Sequence, residues 1–252
     1  MKYTDLIFDL YGTLLDIHTE ENDYVWEKTA LYFGFYGACW TGNELHQAFS
    51  SALATREAKA GQSYECFPDI PFEQVMAELF RAKGVTENAD TLGIHAAQLF
   101  RILSIEYIRL YPYVLESLDT LQKHGYRLWL LSNAQRVFTE YELRHLGLWE
   151  KMDGIFISSD YGCRKPDIRF FRALLEQQKL NSASCLMIGN DRQTDIAGAT
   201  AAGLDILYMH TNLTPSEQAE ADPNLLPGTG NHKHFEFEGS DWNELTRLLC
   251  DI

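Results

Sequence analysis

Leu6-Ile7-Phe8 is a short, unbroken apolar run that closes on Asp9 and then on a turn, Leu10-Tyr11-Gly12-Thr13. A continuous run of this length suits a strand buried on both faces of a parallel sheet. Comparable runs recur at Tyr126 to Leu131, Gly154 to Ser158, Cys185 to Ile188 and Leu204 to Met209. Between them lie segments with helical spacing of apolar positions: Tyr113 to His124, Arg136 to Leu146, Ile168 to Lys179 and Asp195 to Ala202. Strand and helix in alternation predict a parallel sheet with helices on both faces. The pattern is different from about Glu20 to Leu110. Four amphipathic segments follow one another there, Asn22 to Tyr36, Asn43 to Ala60, Pro71 to Lys83 and Ala89 to Arg109, with Gly37, Gly61 and Gly84 where C-terminal caps belong. The expectation is an α/β fold, a doubly wound parallel sheet built from residues 1–16 and 110–252, with a helical bundle at 17–109 inserted into it. The tail is less regular: Thr214-Pro215-Ser216-Glu217 has capping-box spacing, and Leu226 to Gly230 reads as loop.

Composition narrows the class of partner. A hydrophobic content of 46% over 252 residues supports a substantial core. The formal charge of −15 argues against a nucleic-acid backbone or an anionic membrane as main partner, while leaving room for a small anionic molecule held by local cations or a metal. No apolar stretch is long enough to span a bilayer and no signal-peptide pattern stands at the N-terminus. Five scattered cysteines, Cys39, Cys66, Cys163, Cys185 and Cys250, form no CxxC pair and read as reduced thiols of a cytoplasmic protein. Cys163 stands next to Arg164 and Lys165, with no paired His apparent, and reads as a bystander. His232 and His234 flank Lys233, but no third ligand stands near enough in sequence to make a metal site of them.

The chemistry is concentrated where strands end. Ligands in open α/β sheets bind at the carboxyl ends of the strands. Asp9, Ser132 with Asn133, Lys165, and Asp191 with Asp195 all follow predicted strands. Each has an ordinary explanation as a helix cap, a turn residue or a solvated charge. On one sheet edge, however, they make a nucleophile, a hydroxyl donor, a cation and a carboxylate pair, a coherent set for displacement at an electron-poor centre.

Asp9-x-Tyr11-Gly12-Thr13, Ser132-Asn133, Lys165-Pro166 and Gly189-Asn190-Asp191-x-x-x-Asp195, in this order, resemble the motifs of the haloacid dehalogenase-like (HAD) hydrolase superfamily. The resemblance covers roughly residues 1–16 and 110–210, and the helical block between is similar to that family's cap. It implies a Rossmann-like core and a role for each residue. Asp9 would attack the substrate and carry a covalent intermediate. Ser132 would donate to the transferring group, with Thr13, Asn133 and Lys165 also around it. Lys165 would neutralise charge, and Asp195 would hold Lys165 or a metal-bound water. Asp9, Asp191 and the backbone carbonyl of Tyr11 would ligate Mg²⁺, a hard cation suited to oxygen donors.

Tyr11 departs from the family's phosphatases, which carry an Asp acid–base at that place. A phenol, with an unperturbed pKa near ~10, is a poor substitute, and general acid–base catalysis is worth roughly 10²–10⁴-fold. The triplet around Tyr11 is similar to that of the metal-free 2-haloacid dehalogenases, in which Asp9 would displace halide from carbon. Asp191 points the other way, since those dehalogenases keep no acid there. Phe171 stands where they place a Tyr, and Arg56, a candidate for their substrate-binding cap Arg, reads rather as a solvated helix residue. The expectation is therefore an Mg²⁺-dependent phosphatase acting on a small, phosphorylated molecule. The alternatives are a 2-haloacid dehalogenase, or a non-catalytic binding protein on the same fold.

Overall fold

The computed structural model describes residues 2–60, 67–215 and 232–251. The first strand, β1 (Asp5–Phe8), lies at the middle of a six-stranded sheet in which every neighbouring pair is parallel. On one side β1 pairs with β4 (Arg127–Ser132) and then β5 (Gly154–Ile157). On the other it pairs with β6 (Cys185–Gly189), β7 (Asp205–His210) and β8 (His234–Glu238). Side chains alternate across the pleat, and β1 shows the consequence. Leu6 and Phe8 pack on one face with Leu128, Leu130, Leu186 and Ile188. Ile7 packs on the other with Trp129, Leu131 and Met187. Helices α5 (Val114–Lys123) and α10 (Trp242–Asp251) cover the first face through Leu118, Trp242 and Leu245. After the short α7 (Ser158–Tyr161), helix α8 (Ile168–Gln177) covers the second through Phe170, Phe171 and Leu174.

The remaining strands form a separate two-stranded ribbon. β2 (Leu15–Thr19) and β3 (Ile105–Leu110) pair antiparallel, from Leu15 opposite Leu110 to Thr19 opposite Ile105. Between them lie α1 (Asp23–Phe35), α2 (Gly42–Ala60), α3 (Phe72–Ala82) and α4 (Ala89–Ser104). These helices bury a core of their own, with Trp26, Phe33, Phe49, Met76, Phe80 and Phe100 inside.

Three expectations are corrected. The fourth helical segment stops at Ser104 rather than Arg109, because Ile105 to Leu110 is drawn out to pair with β2, itself not anticipated. Asp195 to Ala202 is not one helix: a π-helical turn (Arg192–Ile196) precedes the short α9 (Ala197–Ala202). The tail also holds more order than its pattern suggested, since β8 extends the sheet and α10 closes one face. Gly61, Cys66, the Ser216–Glu217 half of the proposed capping box and the 226–230 loop fall outside the described residues. None of the four described cysteines forms a disulfide.

Candidate active site

Register places the site. Phe8 lies opposite Leu130 on β4 and Ile188 on β6, so the chain leaves all three strands at one edge. Asp9, Ser132 and Asn190 emerge side by side. After β1 the backbone turns at once: the amides of Thr13, Leu14 and Leu15 all donate to the carbonyl of Leu10, and Gly12 donates to Leu15. Gly12 sits at φ +86°, and a Cβ there would lie 2.2 Å from the Asn190 amide nitrogen. Only glycine fits both the dihedral and the approach.

Lys165 is the centre of the arrangement. Its side chain is buried, and Nζ donates to Asp9 Oδ1 at 2.6 Å, to Asp195 Oδ1 at 2.6 Å and to the Leu131 carbonyl at 2.8 Å. All three ammonium protons are thus committed. Burial opposes the charge, but the carboxylates of Asp195 and Asp9 outweigh it and hold the Lys165 pKa above its ordinary value. Asp195 spends its second oxygen on the Asp191 amide at 3.0 Å. Burial pushes the Asp195 carboxyl up to about 7; Lys165 opposes the shift and the charge of Asp9 adds to it. One ammonium cannot balance two buried carboxylates, and the more deeply buried of them is the one that resists ionisation.

Asp9, Asp191, Asp195, Lys165 and Tyr11 line one cleft of about 190 Å³, together with Asn133, Asn190, Thr194, Leu213 and Pro215. Asp191 also caps the π-helical turn, its Oδ1 accepting from the amides of Gln193 and Thr194. Among the described residues Asp9 Oδ2 carries no hydrogen bond. Ser132 Oγ is buried with no hydrogen-bond partner, an orphaned hydroxyl at the end of β4. Such orphans are uncommon in native proteins and call for an explanation.

The other sequence candidates occupy supporting places. Asn133 clamps the Lys165 peptide, accepting from its amide at 2.7 Å and donating to its carbonyl at 3.0 Å. Its side-chain amide therefore holds the Lys165 loop and does not stand free toward a substrate. Thr13 Oγ1 donates to Asn190 Oδ1 at 3.3 Å, which ties the first turn to the loop after β6. Arg56 lies elsewhere: its guanidinium pairs with Glu78 and Gln74 and joins α2 to α3. Among the described residues no cluster of three metal-ligating side chains forms around His232 or His234.

Tyr11 turns its hydroxyl away from chemistry. It donates to Glu142 Oε2 at 2.7 Å and lies 3.0 Å from Thr139 Oγ1, both on α6 (Arg136–His145). Burial, reinforced by the Glu142 carboxylate, pushes the phenol pKa upward. Sequence reasoning missed Glu142 and its partner Arg101, whose sequence positions carry no motif. It also missed the segment leading into α3, which docks beside the Lys165 loop. There the Arg164 amide donates to the Phe67 carbonyl at 2.8 Å. Asp69, buried, accepts from Gln135 at 2.7 Å and from Ser158. The signal for Asp69 was a lone acid within the apolar-rich Phe67 to Phe72.

The haloacid dehalogenase-like hydrolase family matches residues 6–203. The chain belongs to that family. Its HAD relatives include a glyceraldehyde 3-phosphate phosphatase of Methanothermobacter thermautotrophicus, 31% identical over 48% of this chain and 54% of the relative. Another is a phosphoserine phosphatase of Thermus thermophilus, 32% identical over 47% of each chain. The match spans about half the length of these relatives. Among solved structures, a 2-haloacid dehalogenase from Pseudomonas syringae superposes with a TM-score of 0.63 at 20% identity, covering 99% of both chains, a likeness of fold. Among the described residues, no helix of this HAD hydrolase is long and apolar enough to cross a membrane.

Proposed function

We propose that this HAD hydrolase is an Mg²⁺-dependent phosphatase of small, phosphorylated molecules that works through an aspartyl-phosphate on Asp9. The observation that carries the reading is the donor set of the cleft. Two carboxylates, Asp9 and Asp191, stand against a single ammonium, Lys165, which Asp195 also holds. A formal excess of negative charge at a half-enclosed site fits a hard divalent cation with oxygen ligands. Asp9, Asp191 and the Tyr11 carbonyl would hold it, and Asp195 would not, because both its oxygens are spent. When bound, Mg²⁺ would supply the positive charge that lets a carboxylate and a phosphate approach. The phosphatase names of the sequence relatives agree with this choice.

The chain's own residues do the rest. Lys165 orients Asp9 through Oδ1, leaving Oδ2 to attack phosphorus. Ser132 Oγ gains its missing partner when it donates to a phosphoryl oxygen. As the new bond to Asp9 forms, the ester bond breaks and the leaving oxygen takes its electron pair. Water then cleaves the acyl phosphate and frees Asp9. No side chain of the first turn supplies a proton to the leaving oxygen, since the Tyr11 hydroxyl is committed to Glu142. The preferred substrates are therefore those with good leaving groups, acyl and aryl phosphates.

That same commitment of Tyr11 favours a second reading, a 2-haloacid dehalogenase, because a halide leaves without a proton. The test is hydrolysis of p-nitrophenyl phosphate and acetyl phosphate, each with Mg²⁺ and with EDTA, beside halide release from L-2-chloropropionate. Asp9→Asn serves as control. Phosphate release that needs Mg²⁺ and vanishes in Asp9→Asn is expected. Halide release that survives EDTA overturns the phosphatase in favour of the dehalogenase.

A further inference from the structure

Arg101, on the helical insertion and partly buried, and Glu142, buried on the sheet domain, form a pair against Tyr11. Arg101 Nε donates to Glu142 Oε1 at 2.6 Å and Nη2 to Oε2 at 3.1 Å, a two-pronged contact of the strong, orienting kind. Oε2 is shared, because it also accepts the Tyr11 hydroxyl at 2.7 Å. The guanidinium carbon lies 5.7 Å from the centre of the Tyr11 ring and 4.8 Å from that of Phe138. A simple cross-link between α4 and α6 would need only the ion pair. Here both members also touch the same third residue, and that residue stands two positions after Asp9 in a turn closed by overlapping hydrogen bonds. A phenol ring has few torsions, so fixing its hydroxyl fixes its Cα to within a small range.

We propose that Arg101 and Glu142 are positioning residues for the nucleophile turn: they hold Tyr11 from the side, and the seat of the insertion's last helix is thereby transmitted to Asp9. Neither touches the reacting atoms. If α4 shifts, Glu142 loses its cation, Tyr11 loses its anchor, and the turn from Asp9 to Leu15 loosens. The consequence for turnover rests on Asp9 being the nucleophile; the mechanical coupling does not.

The experiment is a double-mutant cycle read by hydrogen exchange of the segment from Asp9 to Asp16, with kcat and KM on p-nitrophenyl phosphate alongside. The variants are Arg101→Met, Tyr11→Phe and the pair. Arg101→Met is expected to speed exchange of the turn amides by about tenfold or more, although the substitution lies on another element. In the Tyr11→Phe background it is expected to add nothing, since the hydroxyl it works through is gone. On the same logic kcat falls roughly 10- to 100-fold with little change in KM. Equal effects of Arg101→Met in both backgrounds, or faster exchange confined to α4 and α6, overturn the proposal. Glu142→Gln in the same cycle gives a second route to the answer if Arg101→Met does not fold. Wild-type protein that releases no phosphate would count against the phosphatase reading and leave the exchange result to decide the coupling.

Discussion

Ser132→Ala separates binding from stability. The Ser132 hydroxyl is buried and unpartnered. A buried hydroxyl without a hydrogen bond costs roughly 1–3 kcal/mol, and alanine removes that cost along with one atom of packing. The variant is therefore expected to be as stable as the parent or more so, by up to about 2 kcal/mol. For a chain of this length that is a Tm rise of up to about 8 °C. Turnover moves the other way. A hydrogen bond to a charged partner is worth roughly 1.5–3 kcal/mol, so losing the donor to a phosphoryl oxygen slows kcat/KM by roughly 10- to 150-fold. Urea unfolding gives the first quantity, and p-nitrophenyl phosphate hydrolysis with Mg²⁺ the second. A variant that is destabilised by more than about 1 kcal/mol yet turns over normally refutes the reasoning. The hydroxyl would then be a structural group, and the proposed place of the phosphoryl group would be wrong.

Other perturbations test other parts of the site. Asp195 has its folded pKa raised to about 7 by burial, against an unfolded value near ~3.9. Between those values only the folded state keeps the proton, so in EDTA stability is full near pH 4 and falls as pH rises toward 7. Asp195→Asn should abolish that slope in urea titrations; a wild-type-minus-variant difference that stays constant with pH contradicts it. Gly12→Ala meets both the positive φ and the 2.2 Å approach to Asn190, and is expected to cost at least about 1–2 kcal/mol by chemical denaturation. Tyr11→Asp restores a carboxyl beside the nucleophile, and should raise the kcat/KM ratio of alkyl over aryl phosphates by roughly 10²-fold. An unchanged ratio would show that the missing acid does not set the leaving-group preference.

What could be read from the sequence follows from where the information lies. β1, β4 and β6 were legible because strands buried on both faces need unbroken apolar runs, and the residues ending them are chemically distinctive. β3 was not. Ile105 and Ile108 are spaced as a helix would space them, and the antiparallel partner that draws the segment straight is far away in the chain. α10 did carry a signal. Asp241 accepts from the amides of Asn243 and Glu244, and Trp242, Leu245 and Leu249 fall on one face, so cap and periodicity were both present. In the site, the sequence motifs pointed to the residues that meet at Lys165. They did not reveal that Asn133 is a clamp or that Tyr11 answers to Glu142. Those facts depend on which side-chain atoms are already engaged, and engagement is a property of tertiary contacts.

The β2–β3 ribbon has a consequence for how such a chain can change. Thr19 and Ile105 are paired neighbours, so the helical insertion leaves and returns at almost the same point. To the sheet it is an elaborate hairpin loop. The entropy of closing a loop grows only slowly with its length, so the sheet is nearly indifferent to how many residues lie between those two strands. Helices other than α4, which seats against α6, can be lengthened or exchanged there while Asp9, Ser132, Lys165 and Asp191 keep their places at the strand ends. The helices and the strand ends are thereby free to change on separate schedules, except where contacts such as those from Arg101 to Glu142 and from Asp69 to Gln135 tie the two together.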